Sequence, residues 1–238
     1  VANPTLFNRC VAEAVGTFAL VFAGTGAVVV AAQTGVVTHV GVSLTFGLVI
    51  MAMIFAVGDV SGAHFNPAVT VAFWAARRFP GREVGPYILA QCLAAIAASV
   101  LLRGMYVDQP LDQLGSLGIT VPAGAWWQSA VLELVLTMFL MFVILHVSTG
   151  AKERGITAAI AIGGTVALAA LFGGPVSGAS MNPARSLGPA IVAGRLAELP
   201  LYIITPVAGA LLAVVCCALT RPGKCCGGQC RPLIPEKA

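Results

Sequence analysis

Two short stretches carry the side chains best placed to do chemistry. Asn66-Pro67-Ala68 lies inside Ser61-Gly62-Ala63-His64-Phe65-Asn66-Pro67-Ala68-Val69-Thr70, and Asn182-Pro183-Ala184 lies inside Ser177-Gly178-Ala179-Ser180-Met181-Asn182-Pro183-Ala184-Arg185-Ser186. The chemistry on offer is hydrogen bonding rather than bond making. Asn caps a helix by accepting a backbone N–H through its side-chain carbonyl, and Pro at the first helical position lacks only an N–H that has no partner there anyway. Each Asn then keeps its amide NH2 as an outward-facing donor. One copy alone reads as an ordinary capped helix; two copies in matching decapeptides, each bracketed by long apolar segments, point to a shared role. The Ser-Gly-Ala before each copy suits irregular backbone.

Glu13 and Glu133 each lie in an apolar run, some fifty residues ahead of an Asn-Pro-Ala. A carboxylate in such surroundings is costly and marks either function or a buried partner. The favoured reading is structural: each Glu accepts backbone N–H bonds from the irregular loop of its own half. No nucleophile, base and oxyanion-stabilising set occurs together, so the sequence predicts no enzyme, no cofactor and no catalytic metal.

The elements that must position these residues are set by composition. Of 238 residues, 58% are hydrophobic and 9% charged, against about 25% charged in soluble domains. Six apolar segments, roughly 7–32, 40–58, 84–104, 126–147, 155–173 and 199–219, each approach the ~20 residues that span a hydrocarbon core. The first is too long for a cleaved leader. From Asn66 to Arg77 and from Asn182 to Ala193 the apolar runs are only about twelve residues, or ~18 Å as helix. Neither spans alone. Entering from opposite faces, two such half-helices cover the core together and their N-termini meet near the midplane. Irregular backbone at that depth is tolerated only in a protein interior or along a water-filled cavity, so the pattern implies a pore.

Three spans per half is an odd number, so the second half enters from the opposite side and the chain is an inverted repeat. The organisation is a single channel domain over 1–220, with repeat one at 1–104, a connector at 105–125 and repeat two at 126–220, followed by a tail at 221–238. Basic residues set the expected orientation, because cytoplasmic loops collect Lys and Arg. Arg9, Arg77, Arg78, Arg82, Lys152, Arg154, Arg221, Lys224, Arg231 and Lys237 share one side, and Arg103 and Arg195 flank the other. Both termini are therefore expected in the cytoplasm, with the protein in a plasma or bacterial inner membrane. The net charge of +4 follows from this asymmetry and calls for no nucleic-acid partner. The connector, with Asp108 and Asp112, reads as a simple outer loop. The tail carries Cys225, Cys226 and Cys230, for which lipidation, thiophilic metal binding and incidental thiols all remain open; Cys10, Cys92, Cys216 and Cys217 read as packing residues.

The paired Asn-Pro-Ala motifs, with Glu13 and Glu133 in an inverted six-span repeat, resemble the aquaporin family of major intrinsic proteins over nearly the whole chain. The run from Pro175 to Ala190 is most similar to the nodulin-like intrinsic proteins of plants and their bacterial relatives. The resemblance implies an all-α membrane fold of six transmembrane helices and two re-entrant half-helices, assembled as a homotetramer with one pore per subunit. It implies a constriction near the outer mouth at Phe46, Ala170, Ala179 and Arg185. It also implies a line of pore carbonyls from Gly62, Ala63 and His64 and from Gly178, Ala179 and Ser180, facing an apolar wall that includes Phe46, Ile50, Val166 and Ala170. Water-selective members usually carry His at the position of Ala170. Its replacement by Ala implies a wider hole suited to glycerol-like polyols, urea, neutral metalloid hydroxides and water. Ser186 and Ala190 are instead water-like, which keeps a water-selective channel as the alternative. A membrane-embedded sensor with a thiol tail is a further alternative.

Overall fold

The computed structural model describes residues 3–148 and 156–221. Lys152, Arg154, Lys224, Arg231, Lys237 and the tail cysteines Cys225, Cys226 and Cys230 lie outside the described residues. Among the described residues eight α-helices run in order: α1 (Leu6–Thr34), α2 (His39–Ser61), α3 (Pro67–Ala75), α4 (Gly81–Met105), α5 (Trp126–Val147), α6 (Ile156–Ser177), α7 (Pro183–Val192) and α8 (Leu199–Thr220). Six of them are long and apolar enough to cross a membrane, and α3 and α7 are the two short ones. The fold is all-helical, and the protein is a multi-pass membrane protein. Large apolar side chains such as Leu48, Leu93, Phe139, Leu168 and Ile204 are more than half exposed. In water such a surface would aggregate; around a spanning bundle it is the lipid face.

The repeat is visible in the packing. In the first half α1 packs on α2 and α4, and in the second α5 packs on α6 and α8. Each short helix also lies against the last span of the opposite half, α3 on α8 and α7 on α4, so the two halves clasp one another. At the centre α2 crosses α6 where Gly47 meets Gly163. A Cβ on Gly47 would fall 2.5 Å from the Gly163 carbonyl oxygen, and one on Gly163 would fall 2.6 Å from that of Gly47. These two glycines occupy matching positions of the repeat, and only hydrogen on both lets the backbones touch, which is how membrane helices approach closely without a hydrophobic force between them.

Three features differ from the sequence-based expectation. The half-helices are shorter than 66–77 and 182–193, because Arg77 and Gly194 take left-handed backbone (φ +59° and +69°) that ends each helix. The second and fifth spans are longer than 40–58 and 155–173. They run on to Ser61 and Ser177, where Gly62 and Gly178 (φ +88° and +82°) stop them. The connector is more than a simple loop. Its 3-10 turn at Gly115–Gly118 buries Leu114 and Leu117 against Val29 and Leu102, which folds the segment down into the mouth of the bundle.

Basic residues tie one end of the bundle. Arg9 pairs with Glu83 at 2.8 Å. Arg78 donates to the Leu145 carbonyl and to Ser148, and Arg221 to the carbonyl of His146. Arg103 caps the opposite end through the carbonyls of Tyr106 and Gln109.

Candidate functional site

The two pore loops are built to one plan. After the glycine that ends the preceding span, Ala63 and Phe65 take positive φ (+52° and +50°), and so do Ala179 and Met181 (+42° and +53°). Left-handed backbone at four non-glycine residues is strained by about 1–3 kcal/mol each, so something must hold it. Glu13 does so in the first loop. It accepts the N–H of His64 at 2.9 Å, the N–H of Phe65 at 2.7 Å and the Ser61 hydroxyl at 2.7 Å, and Gln91 adds a fourth donor at 2.8 Å. Glu133 accepts the N–H groups of Ser180 and Met181, both at 2.8 Å, and the hydroxyl of Ser177, also at 2.8 Å. Tyr87 and Tyr202 then pin the ends of the preceding spans, donating to the carbonyls of Ser61 and Ser177 at 2.9 and 2.7 Å. With its N–H groups drawn toward the glutamate behind, each loop is free to present carbonyls to the other side.

The loops end at the asparagines, which cap α3 and α7. Asn66 accepts the Ala68 N–H at 2.9 Å, and Asn182 accepts those of Ala184 and Arg185 at 3.0 and 3.3 Å. The amide groups are not left wholly free, as the sequence alone suggests. Asn66 donates to the Met181 carbonyl at 2.7 Å and Asn182 to the Phe65 carbonyl at 2.8 Å, so each half-helix is latched to the loop of the other half. An amide NH2 has two protons. One of each pair holds the halves together, and the second remains for whatever occupies the cavity that both asparagines line.

That cavity has a volume of about 800 Å³. The four residues expected to form the constriction, Phe46, Ala170, Ala179 and Arg185, all line it, as do Gly62, Ala63, His64 and Ser180. Gly178 does not belong to this lining; its Cα faces Thr120 in the connector. The expected apolar wall is present and longer than foreseen: Phe46, Ile50 and Ile54 follow one another at helical spacing on α2, and Ile162, Val166 and Ala170 on α6. The His64 ring is held to one side of the cavity. Its Nδ1 lies 3.1 Å from the Thr70 hydroxyl, and the ring stacks on Phe73 at 4.7 Å.

Arg185, which shares this lining with Arg9, Asp59 and Arg78, is 5% exposed and is the charged group beside Phe46. Its guanidinium donates to the Gly118 carbonyl at 2.7 Å and lies 5.0 Å from the centroid of the Phe46 ring. Gly118 reaches it because four successive connector residues, Gly115, Ser116, Leu117 and Gly118, take positive φ. Next to it, Thr120 donates to Ser186, which in turn pairs with Ser180 in the lining. Sequence reasoning missed this part of the site. The signal was the apolar spacing of Leu111, Leu114 and Leu117, which is unusual for a solvated loop. Ser61, Ser177, Tyr87, Tyr202 and Gln91 were also missed as supports, although the two serines open the matched decapeptides.

Groups arranged in this way offer hydrogen bonds and an apolar surface. They present a cavity lined by the pore loops and the amides of Asn66 and Asn182, by the apolar side chains of α2 and α6, and by the guanidinium of Arg185 beside Phe46.

Comparison with known proteins agrees. Residues 1–216 match the family described as Major intrinsic protein. The chain is 50% identical over 206 residues to Aquaporin NIP1-4 of Oryza sativa subsp. japonica, covering 87% of this chain and 74% of that protein. It is 47% identical over 205 residues to Nodulin-26 of Glycine max, covering 86% and 74%. Among solved structures, the aquaglyceroporin from Plasmodium falciparum superposes with a TM-score of 0.79 at 22% identity, over 88% of this chain and 94% of that one, which speaks to the fold.

Proposed function

This chain belongs to the major intrinsic protein family of channels and is not an enzyme, and from that premise we propose that it passes small uncharged solutes: glycerol-like polyols, urea, neutral metalloid hydroxides and water. The observation that carries the reading is the make-up of the cavity lining beside Arg185. Ala170 and Ala179 contribute one methyl group each, and Phe46 supplies a broad apolar face. A solute with a carbon or metalloid centre and several hydroxyls matches such a site. Its centre rests on the ring while its oxygens take protons from Arg185, whose planar guanidinium keeps its charge at any physiological pH.

Solute then moves in single file past the carbonyls of Ala63, His64, Ala179 and Ser180 toward Asn66 and Asn182, whose remaining amide protons donate to its oxygen. No step consumes energy, so transport is passive. Ions are refused on electrostatic grounds. Each half-helix N-terminus carries about half a positive charge, so a cation at ~4 Å from their meeting point faces ~4 kcal/mol of repulsion at an effective dielectric near 20, before any cost of dehydration. Exclusion of this kind is the general rule for aquaporin-type pores. Both termini face the cytoplasm in this reading, with the basic end of the bundle inward, and four copies assemble in a cell membrane with one pore each.

The test is stopped-flow light scattering on proteoliposomes, comparing water, glycerol, urea, boric acid and arsenous acid, with Ala170→His alongside. Passage of glycerol or a metalloid acid that is lost in Ala170→His while water flux survives supports the reading. A wild type that passes water alone overturns it in favour of a water-selective channel.

A further inference from the structure

The widths of helical channels depend on how their helices are held apart, and α2 and α6 carry the two lateral positions of the constriction, Phe46 and Ala170. These helices touch through Gly47 and Gly163. A second junction joins them at their outer ends. Pro175 lies within α6, and because proline has no N–H, the carbonyl four residues earlier, that of Leu171, loses its helical donor. His39, in the first turn of α2, fills the gap, with its Nε2 2.7 Å from the Leu171 oxygen. A carbonyl can only accept, so Nε2 carries the proton and donates.

The site is shaped for that ring. A Cβ on Gly174 would lie 2.8 Å from Cε1 of His39, so glycine beside the proline leaves the space the imidazole occupies. Nothing equivalent exists in the first half of the repeat. The residue matching Pro175 is Asp59, which has its N–H, and α2 contains no proline.

We propose that His39 is a positioning residue for the constriction, pinning the outer end of α6 to α2 through the Leu171 carbonyl and so setting the distance between Phe46 and Ala170. This rests on the reading of those two residues as the lateral walls of the filter. With the glycine contact as one pin and His39 as the other, the segments between the pins hold Phe46 and Ala170 in register. Without His39, the Leu171 carbonyl loses this donor and the turn of α6 that carries Ala170 loses its tie to α2, while the end of the helix stays held at Ser177 by Tyr202 and Glu133.

The test uses the full chain in proteoliposomes and reads the ratio of glycerol to water permeability. In His39→Ala the ratio rises about fivefold, the change in population expected for one ordinary hydrogen bond. His39→Gln, whose amide can donate to the same carbonyl, keeps the wild-type ratio. In a Pro175→Ala background residue 175 regains an N–H for Leu171, and adding His39→Ala changes nothing further. An unchanged ratio in His39→Ala, or the same effect with and without Pro175, overturns the proposal. Hydrogen exchange at the amides of Phe172, Gly173 and Gly174 keeps the two readings separate. Faster exchange in His39→Ala reports the lost pin whatever solute passes, and unchanged exchange overturns it. Undiminished glycerol flux in Ala170→His overturns the constriction reading alone.

Discussion

The guanidinium of Arg185 lies 5.0 Å from the centroid of the Phe46 ring, so a charged group and an aromatic face of the same cavity lining are in direct contact. The two come from different halves of the chain, Phe46 from α2 and Arg185 from α7. Their contact is a cation–π pair, worth about 0.5–2 kcal/mol depending on how dry the site is. Whatever shifts the ring therefore also changes how Arg185 is held.

Phe46→Ala removes this wall and leaves Arg185 anchored through Gly118 alone. Passage of a longer polyol such as erythritol, relative to glycerol, is expected to rise at least tenfold in liposome swelling assays. Unchanged discrimination between the two polyols would remove Phe46 from the filter.

Gly24 on α1 sits behind that ring. A Cβ there would lie 2.1 Å from Cε1 of Phe46, a clash the ring can relieve only by moving toward the cavity. Gly24→Ala is expected to cut glycerol flux about tenfold while water flux falls less, since water needs the narrower hole. Gly24→Ala combined with Phe46→Val restores glycerol flux, because the smaller side chain yields. If the double variant stays as slow as the single one, the clash is not the cause.

Glu133→Gln exchanges a carboxylate that accepts two backbone N–H groups and a hydroxyl for an amide with one acceptor oxygen and a donor aimed at donors. The loop from Gly178 to Met181 loses the group that offsets its left-handed strain. A loss of about 2–4 kcal/mol is expected, as for breaking a buried charge-assisted network. Thermal unfolding in detergent checks it, and a midpoint within a degree or two of the wild type would show that the brace is dispensable.

Asn182→Asp places a carboxylate where the N-termini of α3 and α7 meet, and it replaces the donor that latches Asn182 to the Phe65 carbonyl at 2.8 Å. The local positive potential is cancelled, so the ~4 kcal/mol barrier to a cation falls away. Cation leak measured in planar bilayers is expected to rise by two orders of magnitude or more, with glycerol flux reduced because a donor is lost. A leak no greater than in the wild type would place ion exclusion elsewhere, at Arg185.

Much of this molecule was readable from its residues, and the reasons are local. Helix length against bilayer thickness needs only hydropathy, so the six spans and two short helices follow from composition along the chain. The caps at Asn66 and Asn182 follow from the chemistry of Asn-Pro. The inverted repeat follows from counting spans between matched motifs. Glu13 and Glu133 were recognisable as buried carboxylates because an isolated charge in an apolar run has few other uses.

What only the tertiary structure decided depends on distances between segments far apart in sequence. The exchange of amide hydrogen bonds between Asn66 and Met181 and between Asn182 and Phe65 joins the halves, and neither half alone contains both partners. The connector looked like solvated loop because its polar and glycine residues dominate. Its four left-handed residues instead deliver the Gly118 carbonyl to Arg185, and no local rule assigns a backbone carbonyl to a distant guanidinium. The same holds for Gly24 behind Phe46 and for His39 against Leu171. Hydropathy and capping act over a few neighbouring residues and are written in the order of the chain, whereas the width of a pore is set by contacts between helices, which exist only once the chain has folded.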